Sequence, residues 1–222
     1  MDTLKFENLE YLVNYPEDYQ AGKRYPVVLF LHGAGTRGDD IGILAGNPFM
    51  KMTQRYAEFS FITVAPHCKH DTWFECFETL IRFAKAVAAA DFTDPERFYL
   101  VGNSMGGYGT WQLATAIPEY LAAIIPICGG GMYWNAGRLV NVPVWAFHGE
   151  IDNVVRPEES QKMVDAINQK GGNARLTLYP NTKHDSWTPT YNTAEVFEWL
   201  FAQRNQNATA LVDQYSNSKI YG

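Results

Sequence analysis

The chain has 222 residues, of which 46% are hydrophobic and 19% charged, a composition typical of a folded protein rather than a disordered or fibrous one. Its 18 basic and 24 acidic residues give a formal net charge of −6 without a basic stripe, so no nucleic-acid partner is expected. No stretch approaches the roughly 20 apolar residues that cross a bilayer, so no membrane partner is expected either.

The chain shows no repeat, low-complexity block or linker, which predicts a single domain over residues 1–222, with its core at about 21–203 and a polar tail at 204–222. The N-terminus has no basic and apolar leader, which predicts a cytoplasmic protein. A mature exported form would look the same, so that alternative stays open. Three scattered cysteines predict isolated thiols, with a Cys68–Cys76 bridge as the alternative.

In chain order, residues 4–14 predict an antiparallel edge strand or hairpin. Short apolar runs then predict strands buried on both faces, as in a parallel sheet covered by helices. These runs are residues 25–31, 61–65, 98–101, 123–127, 142–147 and 175–179.

Helical patterns lie between these runs, at residues 73–90, 104–117, 157–171 and 193–203. Strand and helix therefore alternate from residue 25 to 203. This alternation predicts an α/β fold with a doubly wound, mostly parallel sheet and helices on both faces. Ligands of such sheets bind at the carboxyl ends of the strands, where the informative residues should lie.

One of these strand ends carries G-N-S-M-G at residues 102–106, with a strand before it and a helix after it. In this context G-x-S-x-G predicts a nucleophilic serine, Ser104, on a tight turn at a helix N-terminus. Gly102 and Gly106 are needed because side chains there would collide with neighbouring backbone. The alternative is a glycine-rich turn with a capping serine.

A serine nucleophile needs a base, and His184 is our assignment because it follows the final strand in a loop, N-T-K-H-D-S-W. The chain order Ser, acid, His favours it over a satisfied, non-catalytic histidine. His32 and His148 each follow a strand and precede glycine, and we interpret both as structural or loop-shaping residues.

A carboxylate should orient that imidazole. Asp152 in H-G-E-I-D is our assignment, and Glu150 is the reserve candidate. Asp185 is disfavoured because a sequence neighbour rarely points at its own imidazole. Asp152 could instead be a plain turn residue, since Asp and Asn favour turns. That alternative does not explain its position between Ser104 and His184.

An oxyanion hole requires two backbone N–H groups aimed at the negative oxygen of a tetrahedral intermediate. Met105, which follows the serine, should supply one. The loop H-G-A-G at residues 32–35 should supply the other, from the Ala34 N–H. The alternative for this loop is a plain strand-exit turn.

No nucleotide, flavin or metal motif is present, so no cofactor is expected. His67 and His70 lie three residues apart with Cys68 and Asp71 nearby, but this spacing matches no common metal site.

Together, H-G-A-G, G-N-S-M-G, H-G-E-I-D and K-H-D-S-W resemble the α/β-hydrolase superfamily. The chain is similar to its carboxylesterase/phospholipase and dienelactone-hydrolase-like groups, and to modules of some feruloyl and acetylxylan esterases. The resemblance implies hydrolysis of carboxylic esters through an acyl-enzyme, with Ser104, Asp152 and His184 as the triad. Glu150 stands where Asp is common. Dienelactone hydrolases use Cys as the nucleophile where this chain has Ser104, and this difference disfavours dienelactone hydrolysis as the activity.

The predicted connection at residues 129–141 is too short for a lid domain, so an open nucleophile is expected. An open site suits small acyl or carbohydrate-linked esters. Trp73, Trp134 and Trp187 lie on loops at the expected catalytic edge and are candidate substrate-pocket residues that could stack on a sugar or aromatic ring. Their alternative role is to fill the core beneath the loops.

Two other functions stay open at this point: a serine peptidase of the same fold, and a hydrolase-fold binding protein that has lost catalysis. The oligomeric state is also left open by the sequence.

Overall fold

The computed structural model describes residues 2–208 and 211, and its strands form one eight-stranded sheet in the order β1-β2-β4-β3-β5-β6-β7-β8. The strands are β1 (Asp2–Phe6), β2 (Leu9–Asn14), β3 (Tyr25–Leu31), β4 (Ile62–Pro66), β5 (Thr93–Asn103), β6 (Ala123–Ile127), β7 (Val144–Gly149) and β8 (Ala174–Tyr179). β1 pairs antiparallel with β2 and β2 with β4, whereas all other pairs are parallel. The hairpin and the mostly parallel sheet are therefore confirmed.

The main difference from the predicted strands lies in β5, which begins at Thr93 instead of residue 98. Asp94 and Pro95 disfavour a strand, so the sequence pattern does not indicate that the strand begins before residue 98. In the sheet, Thr93 nevertheless pairs with Tyr25, and a register shift separates that pair from the rest of the ladder.

The four predicted helices are present as α3 (Phe77–Ala88), α4 (Met105–Ala116), α5 (Glu158–Gln169) and α7 (Ala194–Ala202). A 3-10 helix over Trp73–Cys76 precedes α3. Three shorter α-helices and two seven-residue 3-10 helices, Thr53–Phe59 and Tyr133–Leu139, were not predicted because such short segments show no clear period. The three shorter α-helices are α1 (Gly42–Ala45), α2 (Pro48–Met52) and α6 (Trp187–Tyr191).

Two buried clusters flank the sheet, and β3 contributes to both because its successive side chains point to opposite faces. Leu29 and Leu31 join the cluster that includes residues of α3, α4 and α5. Val28 and Phe30 join the cluster that includes residues of α2, α6 and α7. Helices therefore cover both faces, as the strand–helix alternation predicts.

Two further sequence expectations bear on this part of the chain. Cys68, Cys76 and Cys128 are free thiols, so no Cys68–Cys76 bridge is formed in this structure. Within the described residues, no helix combines the length and apolarity that a membrane span requires. The predicted tail at 204–222 falls largely on residues 209–210 and 212–222, which lie outside the described residues.

Candidate active site

A strained turn joins β5 to α4 and carries Ser104, whose φ of 55° and ψ of −118° are rare for a residue with a side chain. A Cβ at Gly106 would lie 1.8 Å from the Leu31 carbonyl oxygen. A Cβ at Gly102 would lie 2.4 Å from the Gly106 carbonyl oxygen. Both glycines are therefore required for this turn, which holds the serine at the carboxyl edge of the sheet.

Three side chains from three different loops meet at this turn. Ser104 Oγ lies 2.8 Å from His184 Nε2, and His184 Nδ1 lies 2.7 Å from Asp152 Oδ2. Because an ionised carboxylate can only accept hydrogen bonds, the imidazole carries its proton on Nδ1. Nε2 is then free to accept the serine proton, which is the arrangement that a general base requires.

Asp152 is buried, and its carboxylate is held from two sides. Oδ1 accepts hydrogen bonds from the backbone N–H groups of Val154 at 2.8 Å and Val155 at 3.0 Å, while Oδ2 accepts from His184. Burial by itself raises the pKa of Asp152, but these hydrogen bonds outweigh it and hold the pKa below its usual value. The carboxylate therefore stays ionised while it orients the imidazole.

Neither of the other two candidate carboxylates has a hydrogen bond to the His184 imidazole. Glu150 accepts a hydrogen bond from the backbone N–H of Asn181. Asp185 accepts hydrogen bonds from the backbone N–H and the hydroxyl of Thr188, in the first turn of α6. Of the three carboxylates, the structure brings only Asp152 to the imidazole.

The H-G-A-G loop lies against the serine turn: a Cβ at Gly33 would be 3.6 Å from Ser104 Cβ. Ala34 is the first residue of a 3-10 helix and Met105 is the first residue of α4. The N–H groups at these positions have no acceptor within their own helix. Two such donors on neighbouring segments are the components that an oxyanion hole requires.

The buried His32 side chain supports the H-G-A-G loop through hydrogen bonds. Its Nδ1–H donates to the Gly33 carbonyl at 2.8 Å, and its Nε2 accepts from the Cys68 backbone N–H at 3.0 Å. Burial lowers the pKa of His32 to about 4, so the ring is neutral near pH 7 and can donate at one nitrogen and accept at the other. These contacts agree with the loop-shaping role expected for His32.

The three candidate pocket tryptophans have different surroundings. Trp73 is only 1% exposed and its indole N–H donates to the His32 carbonyl, so it fills the core beneath the site and has no face for a substrate. Its assignment to the pocket was therefore wrong. Trp134 is 67% exposed. Trp187 is half-buried and stands perpendicular to the His184 ring, with 5.4 Å between centroids.

A groove of about 380 Å³ lies beside the serine turn, and none of the three predicted pocket tryptophans lines it. Tyr108 lines it one helical turn beyond Ser104, and Phe74 lines it with half of its surface exposed. The four-residue spacing on a predicted helix could have identified Tyr108. The full lining is Phe74, Tyr108, Gln112, Gly130, Gly131 and Met132.

Cys128, Asp152 and His184 place a sulfur, an oxygen and a nitrogen within 4.8 Å of one another. Two of these atoms already share the Asp152–His184 hydrogen bond. Burial also raises the pKa of the Cys128 thiol to about 12, which disfavours the thiolate that binds metals. This donor set therefore fits a proton relay better than a metal centre.

Comparison with known proteins places the chain in a family. The sequence pattern of the dienelactone hydrolase family matches residues 70–215, more than half of the chain. The chain belongs to the dienelactone hydrolase family. Solved structures add the α/β-hydrolase fold: a thermostable esterase superposes with a TM-score of 0.81 and 33% identity, over 91% of this chain and 62% of its own.

Other similar proteins have lower sequence identity to the chain. "Probable feruloyl esterase C" from Aspergillus terreus is 28% identical over 73% of this chain and 62% of its own length. Dipeptidyl-peptidase 5 from Porphyromonas gingivalis is 22% identical over 90% of this chain but only 36% of its own. The chain thus spans less than two thirds of both relatives. Est1E from Butyrivibrio proteoclasticus, at 14% identity and a TM-score of 0.64, is similar in fold alone.

Proposed function

We propose that this member of the dienelactone hydrolase family hydrolyses carboxylic esters through an acyl-enzyme on Ser104. The observation that carries the proposal is the pair of contacts from Ser104 Oγ to His184 Nε2 at 2.8 Å and from His184 Nδ1 to Asp152 Oδ2 at 2.7 Å. The feruloyl esterase among its relatives and the similar thermostable esterase support ester bonds as the substrate.

In the acylation step, Ser104 Oγ attacks the ester carbonyl carbon while its proton passes to His184 Nε2. Asp152 stabilises the imidazolium that forms. When the tetrahedral intermediate collapses, the C–O bond to the alcohol breaks and His184 returns the proton to the leaving oxygen. The alcohol departs and the acyl group stays on the serine.

The negative oxygen of the intermediate would be held by the N–H groups of Ala34 and Met105. Loss of one such donor typically costs about 10²–10³-fold in rate. In deacylation, water attacks the acyl carbon, His184 takes its proton, and the proton passes to Ser104 Oγ as the ester bond breaks. No cofactor enters either step.

The substrate class follows from the groove. Phe74 and Met132 present exposed apolar surface there, and Trp134, two residues after Met132 in the chain, is also exposed. Flat apolar rings stack on aromatic groups and on sugar faces. We therefore propose an ester with a small acyl or aromatic acyl group, in which the groove takes a ring of the acyl group or of a linked sugar. Dienelactone hydrolysis is not expected with serine at position 104.

The deciding experiment combines active-site labelling with a substrate panel. Wild-type protein should react with a fluorophosphonate and hydrolyse p-nitrophenyl acetate, whereas Ser104→Ala should lose labelling and about 10⁶-fold in turnover. Equal turnover by both proteins would refute the proposal. Acetyl, butyryl, feruloyl and acetyl-xylan esters would then define the acyl group.

The same panel separates the alternatives. Dipeptidyl-peptidase 5 is among the similar proteins, so matched amide substrates are included. Faster cleavage of the amide than of its matched ester would favour a peptidase. No labelling and no turnover of any substrate would favour a binding protein that has lost catalysis.

A further inference from the structure

His148, for which the sequence indicates a structural or loop-shaping role, lies at the carboxyl end of β7 with a fully buried ring. Its Nε2 lies 2.9 Å from the Val155 carbonyl oxygen and 3.3 Å from Asp152 Oδ2. Its Nδ1 lies 2.8 Å from Ser160 Oγ. Each ring nitrogen therefore has a hydrogen-bonding partner, and Nε2 also lies within ion-pair distance of the candidate catalytic acid.

The protons on this ring follow from its partners. A carbonyl and a carboxylate only accept hydrogen bonds, so His148 Nε2 carries a proton, which it donates to Val155 O beside Asp152 Oδ2. The Ser160 hydroxyl can donate to His148 Nδ1, or to the Gly129 carbonyl at 2.9 Å. Ser160 therefore keeps Nδ1 satisfied whether or not that nitrogen is protonated.

Asp152 Oδ2 is consequently shared by two imidazoles, with His184 Nδ1 at 2.7 Å and His148 Nε2 at 3.3 Å. Oδ1 is occupied by two backbone donors. With donors on both oxygens the carboxylate cannot rotate without losing a hydrogen bond. Its orientation is thus set partly by a residue that does not touch the serine.

We propose that His148 is a positioning residue that acts through Asp152: its Nε2–H fixes the carboxylate oxygen that orients His184 and moderates the negative charge on that oxygen. This inference rests on the proposed function, in which Asp152 is the triad acid. Among the described residues, Asp152 and His184 are the titratable groups that act on the His148 charge. Burial lowers the pKa of His148, which favours the neutral ring with its proton on Nε2.

The role predicts a specific change in pH dependence. Without the His148 donor, the negative charge on Oδ2 is less compensated and attracts the His184 imidazolium more strongly. The acid limb of the kcat/KM profile should then move to higher pH. A residue that merely fills space would leave this limb unchanged.

The test uses His148→Leu, which removes both ring nitrogens, and His148→Gln, whose amide N–H can replace the Nε2 donor but does not titrate. Activity is normalised to the sites that fluorophosphonate labels, so unfolded protein does not count. For His148→Leu we expect kcat to fall about 10–100-fold, the range found when a residue that orients a metal-ligating side chain is removed, with KM nearly unchanged. His148→Gln should recover most of kcat.

The far-downfield NMR signal of the His184 Nδ1–H proton supplies a second readout and should shift in His148→Leu. The inference is overturned if His148→Leu retains kcat and the wild-type acid limb, or if His148→Gln is as impaired as His148→Leu in correctly folded sites. Failure of the proposed function would look different, because Ser104→Ala would then retain turnover. The two outcomes are thus separable.

Discussion

The two sides of Ser104 differ in the way their side chains are held. On the relay side, defined by Asp152, His184 and His148, every described ring nitrogen and carboxylate oxygen has a hydrogen-bonding partner, and Asp152 and His148 are buried. On the aromatic side, defined by Phe74, Met132, Tyr133 and Trp134, the side chains are exposed, and the Tyr133 and Trp134 rings meet edge to face with 5.4 Å between centroids.

The two sides therefore supply different things: the relay side orients the hydrogen-bonded groups, and the aromatic side offers contact area to a ligand. Directional hydrogen bonds between buried groups hold protons in place, which acts on the rate of the chemical step. Exposed apolar rings offer area to a ligand, which acts on its binding. Substitutions on the relay side should therefore change mainly kcat, and those on the aromatic side mainly KM.

The largest expected effect tests the relay side. Asp152→Asn should lower kcat by about 10⁴-fold, because an amide cannot hold His184 in the tautomer that leaves Nε2 free. The matched control is Glu150→Gln. The Glu150 carboxylate binds a backbone N–H rather than an imidazole, so this variant should retain activity. Steady-state kinetics with p-nitrophenyl acetate measure both variants. An equal loss in Glu150→Gln would contradict the assignment of the acid.

A second prediction concerns His32, the buried histidine that supports the H-G-A-G loop. Burial lowers the pKa of His32 from 6.5 to about 4, so the folded state excludes its proton more strongly than the unfolded state. Stability from this residue is complete above about pH 6.5 and is lost as the pH falls towards 4, by roughly 3 kcal/mol in total.

Urea unfolding of wild type and His32→Asn at pH 7, 5 and 4 tests this effect. The asparagine amide can still donate to Gly33 but does not titrate, so its free energy of unfolding should decline less on acidification. Exposed His70 provides the matched control, and His70→Asn should follow wild type. Parallel pH profiles for all three proteins would argue against a suppressed charge at His32.

The smallest expected effect tests the aromatic side. Trp134→Ala should raise KM for a feruloyl ester about fivefold, a loss of about 1 kcal/mol, and leave KM for an acetyl ester unchanged. Trp134→Phe, which keeps a ring, should recover much of the affinity. A fall in kcat on both substrates would instead place Trp134 with the relay side.

Much of the candidate site could be predicted because its signals are local in sequence. The turn at Ser104 requires glycine at positions 102 and 106, and both glycines are visible in the motif G-N-S-M-G between a predicted strand and a predicted helix. Trp73 and Phe74 show the limit of such reasoning. They are adjacent and chemically alike, but one fills the core and the other lines the groove. The one-domain organisation, the localisation and the absence of nucleic-acid, membrane and cofactor partners stay predictions.

The sequence by itself determined the alternation of strands and helices, the serine turn and the order Ser104, Asp152, His184, because periodicity and glycine spacing act over a few residues. Only the tertiary structure decided that Asp152 rather than Glu150 reaches the imidazole, and that His148 shares the same carboxylate oxygen. The physical reason is that strand order and loop conformation bring distant side chains together, and differences of a few ångströms decide which of them form hydrogen bonds.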